Sequence, residues 1–127
     1  MNQKLIQKAI EMRKFSYAPF SKYKVGSSVE AKNGNIIGGC NIECSSYSLT
    51  CCAERIALYT AIAKGYTDFI SLAVATENGG FPCGACRQVI WELCGNIPIY
   101  ICNKNSVLET VYSADLLPKA FDSKFLK

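Results

Sequence analysis

Apolar residues recur at helical spacing at the start of the chain. The stripe consists of Leu5, Ile6, Ala9, Ile10 and Met12. It predicts a first helix over about residues 2–15. The segment Ala18-Pro19-Phe20-Ser21 then interrupts the pattern, which indicates a loop.

A turn signal separates the next two apolar stretches. Residues 24–31 and 35–40 flank Lys32-Asn33-Gly34, and an Asn-Gly pair supplies the positive backbone angles that a tight turn requires. The pattern therefore predicts a β-hairpin. Residues 41–51 are small, polar and irregular, which is typical of a loop.

Helical and strand-like segments alternate through the rest of the chain. They are a helix over 52–64, a strand over 69–75, a helix over 83–94, strands over 98–102 and 107–112, and a short helix over 113–117. Gly65 and Gly95 end the two longer helices. The continuous apolar run over 69–75 is typical of a strand that is buried on both faces. The order predicts an α/β fold with three α-β-α layers around a mixed five-stranded sheet.

Composition limits the class of protein. The chain has 127 residues, of which 50% are hydrophobic and 19% charged, so we expect a single folded domain over 1–127. No apolar run approaches the roughly 20 residues that span a bilayer, and the first residues lack the core of a signal peptide. We therefore expect a soluble, cytoplasmic protein. The net charge of +4 is spread over single residues, which argues against nucleic-acid and membrane partners.

Cysteine and histidine contents narrow the chemistry. The chain has eight cysteines and no histidine. In a reducing compartment such cysteines are metal ligands or buried thiols rather than disulfides. The lack of histidine excludes Ser-His-Asp and Cys-His mechanisms. Protons must then move through a carboxylate, a thiol, a lysine, a tyrosine or a metal-bound water.

Two cysteine segments predict a catalytic zinc site. Cys52-Ala53-Glu54 and Pro82-Cys83-Gly84-Ala85-Cys86 both lie at predicted helix starts. Three thiolate ligands (Cys52, Cys83 and Cys86) leave one position of a tetrahedral zinc ion open, as in catalytic sites. Helix N-termini stabilise thiolates. We expect Arg55, with Arg87 as a second candidate, to offset the thiolate charge, and Glu54 to act as the acid and base.

A closed structural site is the competing interpretation. Cys51 adjoins Cys52 and is the most serious candidate for a fourth ligand. On a regular helix its side chain would point about 100° away from that of Cys52. A four-thiolate site would make the protein a non-catalytic, zinc-stabilised one and would leave Glu54 without a purpose.

The chain resembles a known family along nearly its whole length. The matching segments are Tyr17-Ala18-Pro19-Phe20-Ser21-Lys22-Tyr23, Val25-Gly26, Gly39-Cys40-Asn41-Ile42-Glu43, Cys52-Ala53-Glu54-Arg55, Pro82-Cys83-Gly84-Ala85-Cys86-Arg87-Gln88 and Leu116-Leu117-Pro118. They resemble the small, homotetrameric-type zinc-dependent cytidine deaminases. The resemblance implies one zinc ion per subunit and hydrolysis of cytidine and deoxycytidine to uridine, deoxyuridine and ammonia by a zinc-bound hydroxide, in pyrimidine salvage.

The resemblance also implies substrate-binding roles. Asn41 and Glu43 match positions that hold the ribose hydroxyls, and the backbone of Ala53 matches a site that binds the base amide. Tyr23 matches a position beside the pyrimidine ring at which the family usually has Phe. Phe121 matches an aromatic residue that closes the site of a neighbouring subunit, which implies a homotetramer.

The chain departs from the family pattern at two places, and two alternative substrate classes are compatible with the fold. Cys44 stands where the family commonly has Asn, and the Cys51-Cys52 doublet is unusual. The same fold could act on another aminopyrimidine nucleoside, such as a blasticidin-type antibiotic, or on a base within RNA or DNA. Asn41-Ile42-Glu43 favours a free nucleoside, and the lack of a basic patch argues against polynucleotides.

Overall fold

Within residues 2–126, which the computed structural model describes, the chain forms five β-strands and four α-helices. In chain order these are α1 (Gln3–Met12), β1 (Gly26–Ala31), β2 (Ile36–Cys40), α2 (Ala53–Ala63), β3 (Phe69–Ala75), α3 (Gly84–Cys94), β4 (Pro98–Cys102), β5 (Val107–Tyr112) and α4 (Ser113–Leu116). Met1 and Lys127, the ends of the expected domain, lie outside the described residues. No helix among the described residues has the length and apolar composition needed to cross a lipid bilayer.

The five strands form one mixed sheet in the order β2-β1-β3-β4-β5. β3 and β4 are parallel and are connected through α3, whereas the other neighbouring pairs are antiparallel. β1 and β2 form the predicted hairpin, and Gly34 in its turn has a φ of 95°. The mixed five-stranded sheet predicted from the sequence is thus confirmed.

Helices cover both faces of the sheet. α1 packs on one face, while α2 and α3 pack on the other. β3 explains how: Leu72 and Val74 face α2 and α3, whereas Ala73 and Ala75 face α1. Because successive side chains of a strand point to opposite faces, a strand covered on both sides becomes a continuous apolar run. The predicted three-layer arrangement is confirmed.

Several boundaries differ from the prediction by one to three residues. α2 and α3 begin one residue later than expected, because Cys52 and Cys83 are N-cap residues with extended backbones. β1 begins at Gly26 rather than at Lys24, because the N–H of Val25 donates to the side chain of Asn41 instead of to a strand. α1 ends at Met12 and continues as a 3₁₀ turn over Arg13–Phe15.

The strand register brings the starts of α2 and α3 together. Gly26 pairs with Cys40 of β2 on one side and with Ala75 of β3 on the other. Cys40 and Ala75 are the carboxyl ends of β2 and β3, and they define one edge of the sheet. The chain leaves both strands at this edge, and each of the two loops leads into a helix that begins there. Cavities in α/β folds commonly lie at such carboxyl ends of strands.

The approach of α2 to β2 should tolerate no side chain at Gly39. A Cβ atom there would lie 2.4 Å from the backbone nitrogen of Ala57 and 2.7 Å from the carbonyl oxygen of Ala53. Gly39→Ala is therefore expected to lower the free energy of unfolding by about 2–3 kcal/mol, measured by urea denaturation.

Gly38→Ala is the matched control. Its Cβ would meet flexible side-chain atoms of Met12 and Lys8 on the other face of the sheet. Since these atoms can move, the loss should be smaller. Equal losses for the two variants would contradict close backbone packing as the cause.

Candidate active site

Three thiols form one cluster at the edge where α2 and α3 begin. The sulfur atoms of Cys52, Cys83 and Cys86 all lie within 4.8 Å of one another, and those of Cys52 and Cys83 are 3.7 Å apart. Zinc–sulfur bonds of about 2.3 Å at tetrahedral angles place two sulfurs about 3.8 Å apart. The donor set and its spacing therefore fit a zinc ion.

Cys51 lies outside this cluster. Its backbone exchanges two hydrogen bonds of 3.0 Å with Ile42, so it belongs to an extended bridge rather than to a helix. The 100° angle expected from helical geometry consequently does not apply. Burial raises the pKa of the Cys51 thiol. Among the described residues, three thiols thus lie close enough together that they could hold a metal ion, and Cys51 is not one of them.

Hydrogen bonds surround the sulfur of Cys52. A hydrogen bond from Cys86, aided by bonds from Arg55 and Cys83, holds the pKa of Cys52 well below its ordinary value. The Nη2 atom of Arg55 lies 3.5 Å from this sulfur. Arg87 is placed differently, since it donates to the carbonyl oxygens of Pro82 and Leu116. It ties α3 to α4, and of the two arginines Arg55 is the one in contact with a ligand thiol.

Glu54 is a buried carboxyl group beside the thiols. It lies in the first turn of α2, and only 3% of its surface is exposed. Burial raises its pKa to about 7, and the neighbouring Cys52 also raises it. A carboxyl group that ionises near neutral pH can both accept and donate a proton during a reaction.

A cavity of about 270 Å³ adjoins Glu54 and the thiols. Its lining comprises Ser21, Tyr23, Val25, Asn41, Glu43, Thr50, Cys52, Glu54, Val74, Thr76, Gly80, Phe81 and Cys83. This volume is near the lower end of the range for small-molecule pockets. Most of the residues singled out in the sequence therefore share one cavity. Sequence reasoning missed Thr76, Gly80 and Phe81, although their position between the end of β3 and the Cys83 segment was a usable signal.

Asn41 and Glu43 fasten a neighbouring segment of chain. Oδ1 of Asn41 accepts hydrogen bonds from the Ser16 hydroxyl and the Val25 N–H, and its Nδ2 donates to the Tyr23 carbonyl oxygen at 2.8 Å. Glu43 Oε1 accepts from the backbone N–H groups of Phe20 and Ser21 at 3.0 and 3.1 Å. Glu43 Oε2 accepts from the Ser21 hydroxyl, and this bond is the main cause that lowers the pKa of Glu43. Glu43 is therefore an ionised acceptor at the cavity wall.

Ala53 and Phe121 are not among the residues that line this cavity. Ala53 is fully buried at the start of α2. Phe121 is 56% exposed and stacks on Phe125 at a centroid distance of 5.8 Å, while its carbonyl oxygen accepts a bond from Gln88. A role for Phe121 at a site therefore requires a second subunit.

Zinc content should distinguish the three clustered thiols from Cys51. Cys83→Ala is expected to lose most of its zinc, because two protein ligands rarely hold the ion. Cys51→Ala, the adjacent-thiol control, should retain one zinc per chain. Elemental analysis of both purified proteins measures this, and a Cys51→Ala variant without zinc would support a four-thiolate site instead.

Comparison with known proteins supports the same chemistry. Residues 1–102 match the family model described as the cytidine and deoxycytidylate deaminase zinc-binding region. A cytidine deaminase of Sporosarcina psychrophila is 45% identical over 127 residues, which cover 98% of this chain and 93% of that protein. The crystal structure of a cytidine deaminase from Burkholderia pseudomallei is 41% identical with a TM-score of 0.89, and the match covers 95% of this chain and 99% of that one.

A blasticidin-S deaminase of Bacillus cereus is a more distant relative. It is 27% identical over 108 residues, which cover 77% of this chain and 76% of that protein. The extent and identity of the closer matches, together with the zinc-competent cluster of three thiols beside a buried carboxyl group, lead to one assignment. The chain belongs to the zinc-dependent cytidine and deoxycytidylate deaminase family.

Proposed function

We propose that the protein hydrolyses cytidine and deoxycytidine to uridine and deoxyuridine with release of ammonia. The observation that carries this function is the buried carboxyl group of Glu54 in a cavity that also contains two of the three clustered thiols. Family membership supports the reaction class. The role fits pyrimidine salvage, since the reaction consumes one pyrimidine nucleoside and supplies another.

Cys52, Cys83 and Cys86 hold the zinc ion in this proposal. Bound zinc lowers the pKa of a water molecule toward neutrality and thereby supplies a nucleophile. Arg55 offsets the charge of the thiolates through its contact with Cys52.

Glu54 carries the protons. In the overall reaction water adds to the ring carbon that bears the amine, and ammonia leaves. Glu54 accepts a proton from the attacking water and transfers it to the ring nitrogen N3. It then takes the second proton from the hydroxyl group of the adduct and delivers it to the departing amine, so that the carbonyl group forms as ammonia leaves. Its burial at the cavity wall keeps this carboxyl group away from bulk water.

Asn41 and Glu43 bind the sugar. The three hydrogen bonds to Glu43 leave about one of its four acceptor positions, and Asn41 retains one N–H donor. A pair of ribose hydroxyls can donate to the first and accept from the second. The ring of Tyr23 lies beside the base, and the backbone of Ala53 binds the base amide.

A homotetramer completes the proposal. Phe121 and Phe125 are both more than half exposed and stack on each other, and large exposed aromatic groups commonly mark interfaces. In the tetramer Phe121 closes the site of a neighbouring subunit, and sedimentation velocity counts the subunits.

The eight free thiols fit a cytoplasmic location.

Glu54→Gln tests the proton carrier. The amide keeps the shape of the side chain but cannot accept and return a proton. The value of kcat should therefore fall by a factor of about 100 to 10,000, while the zinc content is unchanged. Ammonia release from cytidine measures turnover. Glu92→Gln on the exposed surface of α3 is the control, and comparable activity of the two variants would contradict the mechanism.

Glu43→Gln tests the sugar contact. Loss of a charged acceptor should raise KM for cytidine by roughly tenfold to a hundredfold. Ser21→Ala, which removes one bond to Glu43 but keeps the carboxylate, should raise KM by less, about threefold. Equal effects would assign Glu43 to loop structure alone.

Competition of cytidine turnover by blasticidin-type nucleosides and by oligonucleotides, in the same assay, separates the alternative substrates.

A further inference from the structure

Two walls of the cavity come from separate loops. The first wall is the segment 16–25 that precedes β1, and the second is the segment 76–82 that connects β3 to α3. The first contributes Ser21, Tyr23 and Val25 to the cavity lining, and the second contributes Thr76, Gly80 and Phe81. A nucleoside in the cavity would lie between these walls, so their separation affects how tightly it is held.

The first wall is fixed along much of its length. Asn41 bonds to Ser16, Tyr23 and Val25, and Glu43 bonds to Phe20 and Ser21. These hydrogen bonds hold the segment at its start, in its middle and at its end. The backbone N–H of Tyr23 also donates to the Ser21 hydroxyl oxygen at 3.0 Å. Tyr23 is therefore held through its backbone N–H and its carbonyl oxygen.

The second wall is fixed at its two ends, and at its last residue the carbonyl oxygen of Pro82 accepts a bond from Arg87 at 2.8 Å. The hydroxyl oxygen of Thr76 accepts hydrogen bonds from the N–H groups of Gly79 and Gly80, both at 2.8 Å. Glu77 forms exposed ion pairs with Arg13 and Lys104 at 3.1 and 3.2 Å. Exposed ion pairs contribute little and weaken with added salt.

One side chain connects the walls from within the cavity lining. The Tyr23 hydroxyl donates to Oδ1 of Asn78 at 2.9 Å. The same hydroxyl lies against Gly80 so closely that a Cβ atom on Gly80 would be 2.5 Å from it. Tyr23 thus bonds one residue of the second wall and packs on another.

We propose that Tyr23 is a positioning residue whose hydroxyl group holds the segment 77–81 against the nucleoside cavity. This role differs from contact between its ring and the base, because the hydroxyl acts through Asn78 and Gly80. The inference rests on the proposed function for its effect on KM, but the contact itself does not. Since the segment lines the cavity without supplying the proton carrier, its loosening should weaken substrate binding more than it slows the chemical step.

Tyr23→Phe tests the hydroxyl while keeping the ring. KM for cytidine should rise about fivefold, and kcat should change less than about twofold. Asn78→Ala should give the same rise, and the double variant should show no further increase, because both changes remove one bond. The assays are done at about 0.5 M salt, where the ion pairs of Glu77 are screened.

Gly80→Ala provides a second test, made both with Tyr23 present and in the Tyr23→Phe background. With Tyr23 present, the added methyl group displaces the hydroxyl and should reproduce the rise in KM. With Tyr23→Phe the next contact of that methyl group is the ring carbon Cζ, 3.7 Å away, so adding Gly80→Ala should have no further effect. A Gly80→Ala penalty of the same size in both backgrounds would overturn the proposal.

Tyr66→Phe is the matched control. It also removes a tyrosine hydroxyl bonded to an asparagine, here Asn35 near the hairpin turn. Its KM should equal that of the unchanged protein. An equal rise in KM for Tyr66→Phe and Tyr23→Phe would point to a general loss of stability and would overturn the positioning role.

Hydrogen exchange separates this proposal from the proposed function. Mass spectrometry of the zinc-loaded proteins should show faster amide exchange in a peptide covering 77–81 for Tyr23→Phe, and unchanged exchange there for Tyr66→Phe. This result does not depend on turnover. If the unchanged protein releases no ammonia from cytidine, the proposed function fails, whereas unchanged exchange over 77–81 in Tyr23→Phe would refute the loop contact.

Discussion

The close packing of α2 on β2 is the constraint on which the site depends. Gly39 allows the backbone of the helix to approach the strand, and this brings Cys52 and Glu54 to the edge of the sheet. β1 joins β2 to β3 through Gly26, so α3 begins near the same edge. The second pair of thiols is delivered there by the strand register. The cluster therefore requires both the register of three strands and the close packing of α2 on β2.

Electrostatics at this edge must reconcile several negative groups. Thiolates lie near the buried carboxyl group of Glu54, and burial together with the charge of Cys52 raises the pKa of Glu54. Two helix N-termini and the guanidinium group of Arg55 supply positive potential that offsets this negative charge. Within residues 2–126, Nε of Arg55 is buried without a hydrogen-bond partner. Holding this arginine beside a thiol has a cost that charge attraction to thiolates would offset.

Periodicity, apolar runs and turn or capping residues predicted each strand and α-helix found within residues 2–126. The one-residue errors at Cys52 and Cys83 have a common physical origin. Both thiols occupy N-cap positions, where the backbone is extended and where helical angles between side chains do not hold. Cys51 precedes one of these N-cap residues, and its extended backbone pairs with Ile42. A helical angle between Cys51 and Cys52 therefore does not apply, and the pairing could not be read from the local pattern.

The cavity walls were harder to predict than the metal ligands. Thiols at a fixed spacing can be recognised as a possible metal site from the local sequence. Thr76, Gly80 and Phe81 become part of the cavity only through residues that are far away in the chain. The link between Tyr23 and Asn78 spans 55 positions and leaves no periodic trace. Loops of this kind require tertiary information, even when the family resemblance identifies most of the site.

Asn41 and Glu43 illustrate how structure and recognition can share the same atoms. The Asn41 carbonyl oxygen accepts two bonds, so this side chain can offer a ligand only its remaining N–H donor. Glu43 is ionised and can offer only an acceptor. One donor and one acceptor beside each other suit two neighbouring hydroxyls that are oriented in opposite senses. Because the existing bonds already fix both side chains, little conformational entropy would be lost in the proposed binding of a sugar, and this would favour affinity.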